Sequence, residues 1–261
     1  MKQKKDQFII VCLESADSAP MLMPYAKLCA EKLGKEIILM TVGNDGEDCS
    51  WIEHLGAPYV AMKGDWKVAI SGLATALNGV LAITAVDRKA PRGIITHPAR
   101  MLNIFSQCRS AYLCVQHPLQ SQLHNVCLTL DHRRESKQKL IWGSYFVRFF
   151  GSQLSVASPD YSDAGLKARW DDNRRFLDKM YASLGIGYSP VTLASRHSLV
   201  DHPDRLALDQ LHPDLLIALT TDRRDQDVGD WLLGTPERRL LQLGQNLLLL
   251  NQRDDLYVLC D

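Results

Sequence analysis

Val126-Cys127-Leu128-Thr129-Leu130-Asp131 decides the fold, because it restates Phe8-Ile9-Ile10-Val11-Cys12-Leu13 from the start of the chain. Both runs are almost continuously apolar, as strands buried on both faces are. A helical stretch follows each, closed by Leu33-Gly34 in the first half and by Phe150-Gly151 in the second. A further apolar run then appears, Ile37-Ile38-Leu39-Met40 or Leu154-Ser155-Val156. Later, each half offers a matching helix start, His97-Pro98-Ala99-Arg100 and Thr235-Pro236-Glu237-Arg238. The chain reads as a duplicated α/β unit, so every candidate site has to be sought twice.

Working outward, the first half alternates strand and helix. Strands are expected at Phe8–Leu13, Glu36–Val42, Tyr59–Met62, Val80–Val86 and Ala111–Val115. Helices are expected from Pro20 to Leu33, as a short piece from Asp48 to Leu55, from an Asp65 cap to Leu77, and from Pro98 to Ser106. Gly34, Gly56 and Asn78-Gly79 supply helix stops. The second half predicts strands at Asn125–Leu130, Gln153–Ala157, Ser189–Leu193, Leu215–Leu219 and Asn246–Leu250. Its helices fall near Glu135–Phe150, Ala164–Leu184, Asp201–Gln210 and Pro236–Leu243, and Tyr257-Val258-Leu259 reads as a short extra strand. The helix from Ala164 is heavily charged on one side and belongs on the outside. Strands alternating with helices imply βαβ units and parallel sheets. The polar stretch Gln116–His124 is the linker, which gives domains of residues 1–119 and 124–261.

Composition narrows the function. The chain has 261 residues, 30 basic and 30 acidic, so no global field draws it to nucleic acid or to an anionic membrane. No run approaches the roughly 18–20 apolar residues of a membrane span. The charged start, Met1 to Asp6, is followed by too few apolar residues for a signal peptide and reads as the approach to a first strand. The 7 cysteines include no C-x-x-C pair. Reduced, buried thiols in a cytoplasmic protein are the expectation.

The five-strand order in each half, with a last helix introduced by Gly234-Thr235-Pro236-Glu237-Arg238, resembles the universal stress protein family over almost the whole chain. The resemblance implies two tandem five-stranded parallel sheets of order 3-2-1-4-5, of the adenine nucleotide alpha hydrolase-like kind. It also implies a non-catalytic stress-response protein that senses a ligand or contacts partners. The single-domain members dimerise through the last strand. A tandem chain would make that contact internally as a pseudo-dimer, Ala111–Val115 meeting Asn246–Leu250, with a homodimer optional. Family members end the first strand in an Asp, matched by Asp131, and follow the fourth strand with a loop of the form G-x2-G-x9-G-[ST]. By that carry-over Asp131 lies near the adenosine of ATP or AMP, Val156 and Ala157 near the base, and Gly234 and Thr235 near phosphate.

Such a loop works because glycines let backbone N–H groups approach phosphate oxygens, and a helix N-terminus adds partial positive charge. Here the first two glycine positions carry Thr221 and Arg224, and the loop between them and Gly234 holds several aspartates. Gly234-Thr235-Pro236 is equally well read as a plain helix start, with Thr235 as cap and Pro236 at the first helical position. In the first half the strand ends Glu14-Ser15-Ala16-Asp17, with Glu14 or Asp17 as the stand-in for Asp131. Its loop is short and basic (Arg88, Lys89, Arg92), with Arg100 nearby, and reads as solvated surface or an anion site.

Other chemistry finds little support. The 8 histidines show no metal-ligand spacing. His132 reads as a solvated loop residue, and His197 and His202 flank an Asp-capped helix start. G-x-S-x-G, G-x-G-x-x-G and Walker sequences are missing. The 5 tryptophans are spread along the chain rather than grouped into a base-stacking platform. Three readings remain open: a stress sensor with adenine nucleotide in its second half, a protein-interaction module whose pockets are filled by side chains such as Arg224 or His97, and a weak metal-dependent nucleotide hydrolase.

Overall fold

Apolar strands at the start of each half organise everything around them. In the computed structural model, residues 7–43, 49–194, 202–222, 230 and 234–253 are described. The chain divides into two compact units, Met1–Ser121 with Leu241–Asn251, and Gln122–Leu240 with Gln252–Asp261.

The first unit is built on β1 (Phe8–Cys12), β2 (Glu36–Gly43), β3 (Tyr59–Lys63), β4 (Leu81–Ala85) and β5 (Ala111–Val115). Their order is β3-β2-β1-β4-β5, and all neighbours are parallel. Three helices cover this sheet: α1 (Ala19–Leu33), α2 (Trp66–Ala76) and α3 (Pro98–Phe105). Gly34, at φ 62°, ends α1 in the left-handed conformation that glycine adopts cheaply. The Asp65 carboxylate caps α2, accepting from the N–H groups of Lys67 and Val68. Residues Ser50–Leu55, expected as a short α-helix, form a 3-10 turn, and Asp48 lies outside the described residues.

The second unit holds β6 (Asn125–Thr129), β7 (Gln153–Pro159), β8 (Ser189–Leu193) and β9 (Leu215–Leu219). Their order is β8-β7-β6-β9, again all parallel. Its helices are α4 (Lys139–Tyr145), α5 (Ala164–Leu184), α6 (Pro203–Leu211) and α7 (Pro236–Leu241). A 3-10 turn over Arg134–Gln138 leads into α4, and a π-helical turn over Phe146–Phe150 extends it, where one continuous helix was expected. Gly143 lets α4 approach β6 closely: a Cβ there would lie 2.8 Å from Leu128 and 2.6 Å from the Tyr181 hydroxyl. That hydroxyl donates to the Leu140 carbonyl at 2.9 Å and ties α5 to α4. Only Asn173, Leu177 and Tyr181 of α5 are buried, as its charged outer face requires.

The last strand, β10 (Leu247–Leu250), departs from two equal five-stranded sheets, because it belongs to the first unit and runs antiparallel to β5. The physical reason lies in both partners. Four leucines, all buried, meet the fully buried run Ala111–Val115. Asn246 then fixes the register: its side-chain oxygen accepts from the N–H groups of Gln116 and His117 at 2.8 and 3.2 Å. Its side-chain nitrogen donates to the buried Tyr25 hydroxyl at 2.9 Å. The expected extra strand Tyr257–Leu259 lies outside the described residues.

Candidate functional site

Asp131 sits two residues past the end of β6, where ligands of open α/β sheets collect. Its Oδ1 accepts the Arg133 backbone N–H at 2.9 Å. Its Oδ2 accepts Nε of Arg133 at 2.8 Å and lies 2.7 Å from Nη2 of the same guanidinium. One carboxylate oxygen thus meets two guanidinium nitrogens while the other takes the backbone N–H, and the guanidinium bond is charge-assisted. The loop is braced from two further directions. The Asp131 N–H donates to Ser136 Oγ at 3.1 Å, and Asn173 of α5 donates to the carbonyls of Asp131 and Arg133 at 2.8 and 2.9 Å.

Beneath Asp131 lies a second pair. Lys139, 1% exposed, donates from Nζ to Thr129 Oγ1 at 2.8 Å, and the Thr129 hydroxyl donates to the Asp204 carboxylate in a very short contact. Asp204, 3% exposed, lies 3.6 Å from Nδ1 of His202. Burial would raise the Asp131 carboxyl, yet the charges of Lys139 and Arg133 outweigh it and hold the group below its ordinary 3.8. Burial lowers the Lys139 ammonium below 10.5, opposed by Asp204 and Asp131. Burial also lowers His202 below 6.5, opposed by Asp204 and helped by Arg133 and Lys139.

Other expected site residues fall in different places. Val156 and Ala157 are buried inside β7, which runs on to Pro159, so neither ends the strand. Leu130 N–H donates to the Ala157 carbonyl at 2.8 Å, which sets Asp131 beside this part of β7. Thr221 donates to Glu237 Oε2 at 2.9 Å, and Thr235 also hydrogen-bonds that carboxylate. Glu237 is 5% exposed, and burial raises its carboxyl above 4.5 against those hydroxyl donors. Gly234 takes φ 83°, and a Cβ there would lie 3.0 Å from Arg238. The hydroxyls thus serve the chain's own carboxylate at the start of α7. Arg224 and His197 lie outside the described residues.

Two histidine readings need correction. His132 is not a free loop residue: its N–H donates to the Tyr161 hydroxyl at 3.0 Å, and its ring nitrogen lies 3.1 Å from the same oxygen. Burial and the Asp131 charge push that phenol up to about 12. His202, not Asp201, caps α6, taking the Asp204 N–H on its Nδ1.

In the first unit the matching position is Glu14. Leu13 N–H donates to the Met40 carbonyl at 2.8 Å just as Leu130 donates to Ala157, so Glu14 answers Asp131. Its carboxylate accepts from the Thr96 hydroxyl at 3.4 Å. The same alignment carries Gly34 onto Gly151 and places Leu22 where the second unit has Lys139, and Cys12 where it has Thr129. Leu22 and Cys12 are buried. Of the basic loop, Arg88 donates to the Gln242 carbonyl at 2.9 Å and Arg100 lies 3.6 Å from Asp65, so both have protein partners.

The sequence reading missed Lys139, Asp204, Asn173 and Glu237. A lysine inside a helix usually marks a solvated face, so Lys139 gave no signal until its match with Leu22 was seen. Among the described residues no group of three or more His, Cys, Asp or Glu could hold a metal ion.

No family model matches the chain, and no curated protein matches it. Solved structures do. One is a universal stress protein from Archaeoglobus fulgidus DSM 4304, 12% identical, with TM-score 0.67 over 96% of this chain and 100% of that one. The chain has the universal stress protein fold. A functionally unknown protein of Pseudomonas aeruginosa PAO1 shares it, at 14% identity and TM-score 0.63 over 98% of this chain and 96% of that one. In this universal stress protein fold the two first-strand ends are chemically unlike, Glu14 with a threonine and Asp131 with an arginine and a buried lysine nearby.

Proposed function

We propose that the chain is a non-catalytic tandem member of the universal stress protein family that acts in the stress response through contacts with other proteins. The site expected to take adenine nucleotide is held by the chain's own side chains. One observation carries this reading: both oxygens of Asp131 are engaged by Arg133, from a loop that Ser136 and Asn173 brace. A ribose or adenine donor would have to displace a charge-assisted pair, of the kind whose hydrogen bonds are each worth about 1.5–3 kcal/mol. Glu237 supports the same reading at the other end of the site. It takes the Thr221 and Thr235 hydroxyls, which are then not free to donate to a phosphate.

A cytoplasmic setting belongs to the proposal, supported by free thiols at Cys12, Cys29, Cys108, Cys114 and Cys127, all buried. The test is to purify the protein, denature it and assay the supernatant for adenine nucleotide, then titrate ATP and AMP by calorimetry. Empty protein and no binding heat are expected. Bound nucleotide at about one per chain that is lost in Asp131→Ala would restore the sensor. Metal-dependent phosphate release that disappears in the same variant would make it an enzyme.

A further inference from the structure

The helix α4 and its π-helical extension present an aromatic face to solvent. Ile141, Tyr145 and Phe149, spaced four residues apart, are 41%, 36% and 43% exposed. Trp142 packs edge-on to Tyr145 at 5.6 Å, and Tyr145 lies 5.7 Å from Phe149. Arg148 stacks over the Phe149 ring at 5.5 Å and makes no ion pair among the described residues. The corresponding helix of the first unit, α1, shows Pro20, Pro24, Lys27 and Glu31 to solvent instead. The aromatic face is therefore not a demand of the fold. π-Helical turns also concentrate at functional positions.

The chain arrives at this face. Gln138, immediately before α4, holds Arg253 at two points: its Nε2 donates to the Arg253 carbonyl at 2.9 Å, and its Oε1 accepts the Arg253 N–H at 3.2 Å. The sequence continues as Asp254-Asp255-Leu256-Tyr257-Val258-Leu259-Cys260-Asp261, outside the described residues. Leu256 to Cys260 is apolar between acidic ends. Fully extended at roughly 3.3 Å per residue, eight residues span about 26 Å. At 1.5 Å rise, Gln138 to Phe149 is about 17 Å.

We propose that residues 254–261 of this chain seat on the α4 face, with Leu256, Tyr257, Val258 and Leu259 against the aromatic rings and Asp261 against Arg148. Charge selects this occupant over two others. Residues 137–151 contain no acid, so the same face of a second copy offers Arg148 no carboxylate. A single unpaired exposed cation falls well short of the roughly 4–8 Lys and Arg of an anionic-lipid site.

Cys260 makes the test direct, since it stands near the position that would meet Phe149. In the full-length chain carrying Phe149→Cys, mild oxidation with diamide is followed by peptide mapping. The introduced thiol is expected to join Cys260 within one chain about tenfold faster than in the same variant with Tyr257→Asp and Leu259→Asp, because docking raises the effective concentration of the tail thiol. In the otherwise native chain, Tyr257→Asp with Leu259→Asp is expected to raise the fluorescence of an apolar dye severalfold, as the rings become accessible. Equal crosslinking rates with and without the tail substitutions, or unchanged dye fluorescence, would overturn the proposal. A disulfide between chains, rising with protein concentration, would overturn it in favour of a second copy on this face.

Discussion

The two units solve one structural position in opposite ways. In the first, Cys12 and Leu22 fill the space beneath the end of the first strand, and Glu14 above them takes a threonine hydroxyl. In the second, Thr129 and Lys139 occupy the same places, Asp204 answers the ammonium, and Asp131 above them is bound by Arg133. The strands carrying these residues hold matching places in both sheets, and Leu22 and Lys139 lie equally far before the glycines that end their helices, so the scaffold does not require the charges. What the difference teaches is that a buried lysine forces its surroundings: once Lys139 replaces a leucine, a carboxylate must be buried with it. An ionic cluster so saturated leaves Asp131 little capacity for a ligand.

The largest effect should come from breaking that cluster on one side. Asp204→Ala leaves the Lys139 ammonium buried without its carboxylate, and urea unfolding should show a loss of about 3–5 kcal/mol. Adding Lys139→Leu, which restores the residue type of the first unit, should recover most of that loss. If the double variant is as unstable as the single one, the cluster is not the electrostatic unit described. Next in size is Asp131→Ala, which strips Arg133 of its partner and should cost about 1.5–3 kcal/mol. Glu14→Gln, the corresponding change in the first unit, should cost less than about 1 kcal/mol. Equal costs at the two positions would erase the contrast.

Acid should act on the second unit through His202. Its folded value lies below 6.5, so the unfolded chain binds the proton more readily. The stability it contributes is complete above about 6.5 and falls as the pH drops below that toward the lower folded value. The Asp131 carboxylate acts the same way in a lower window, beneath 3.8. His202→Asn should flatten the unfolding free energy just below pH 6.5 while leaving the steeper loss at lower pH, measured by urea unfolding across the acid range. The smallest effect belongs to Glu237→Gln. Burial raises this carboxyl, so its ionisation weakens the fold as the pH rises above 4.5, and the amide should be neutral or stabilising at pH 7 by less than about 1 kcal/mol.

Much of this architecture was legible in the sequence because it rests on long apolar runs. Val126 to Leu130 and Leu215 to Leu219 have few alternatives to buried parallel strands, and Gly34 and Gly151 mark helix ends that take left-handed backbone. Leu247–Leu250 reads from its apolar run as the last strand of the second half, whereas its membership of the first unit rests on pairing with β5 and on a tie to Tyr25 through Asn246 that joins residues 221 positions apart and leaves no local pattern. The site was only half legible. Asp131 stands out after an apolar strand, whereas its saturation by Arg133 depends on how a three-residue turn folds back on itself. Lys139 and Asp204 are 65 residues apart by number and meet only because α4 and α6 both pack on β6, which no spacing rule announces.

We propose that Asp131, engaged by Arg133 of the protein itself, takes no nucleotide. Calorimetric titration of ATP into the purified chain, paired with the Arg133→Ala variant, tests it most directly. No binding heat is expected for the native protein. Saturable binding to the native chain at about one ATP per chain, abolished by Asp131→Ala and unaffected by Arg133→Ala, would contradict it.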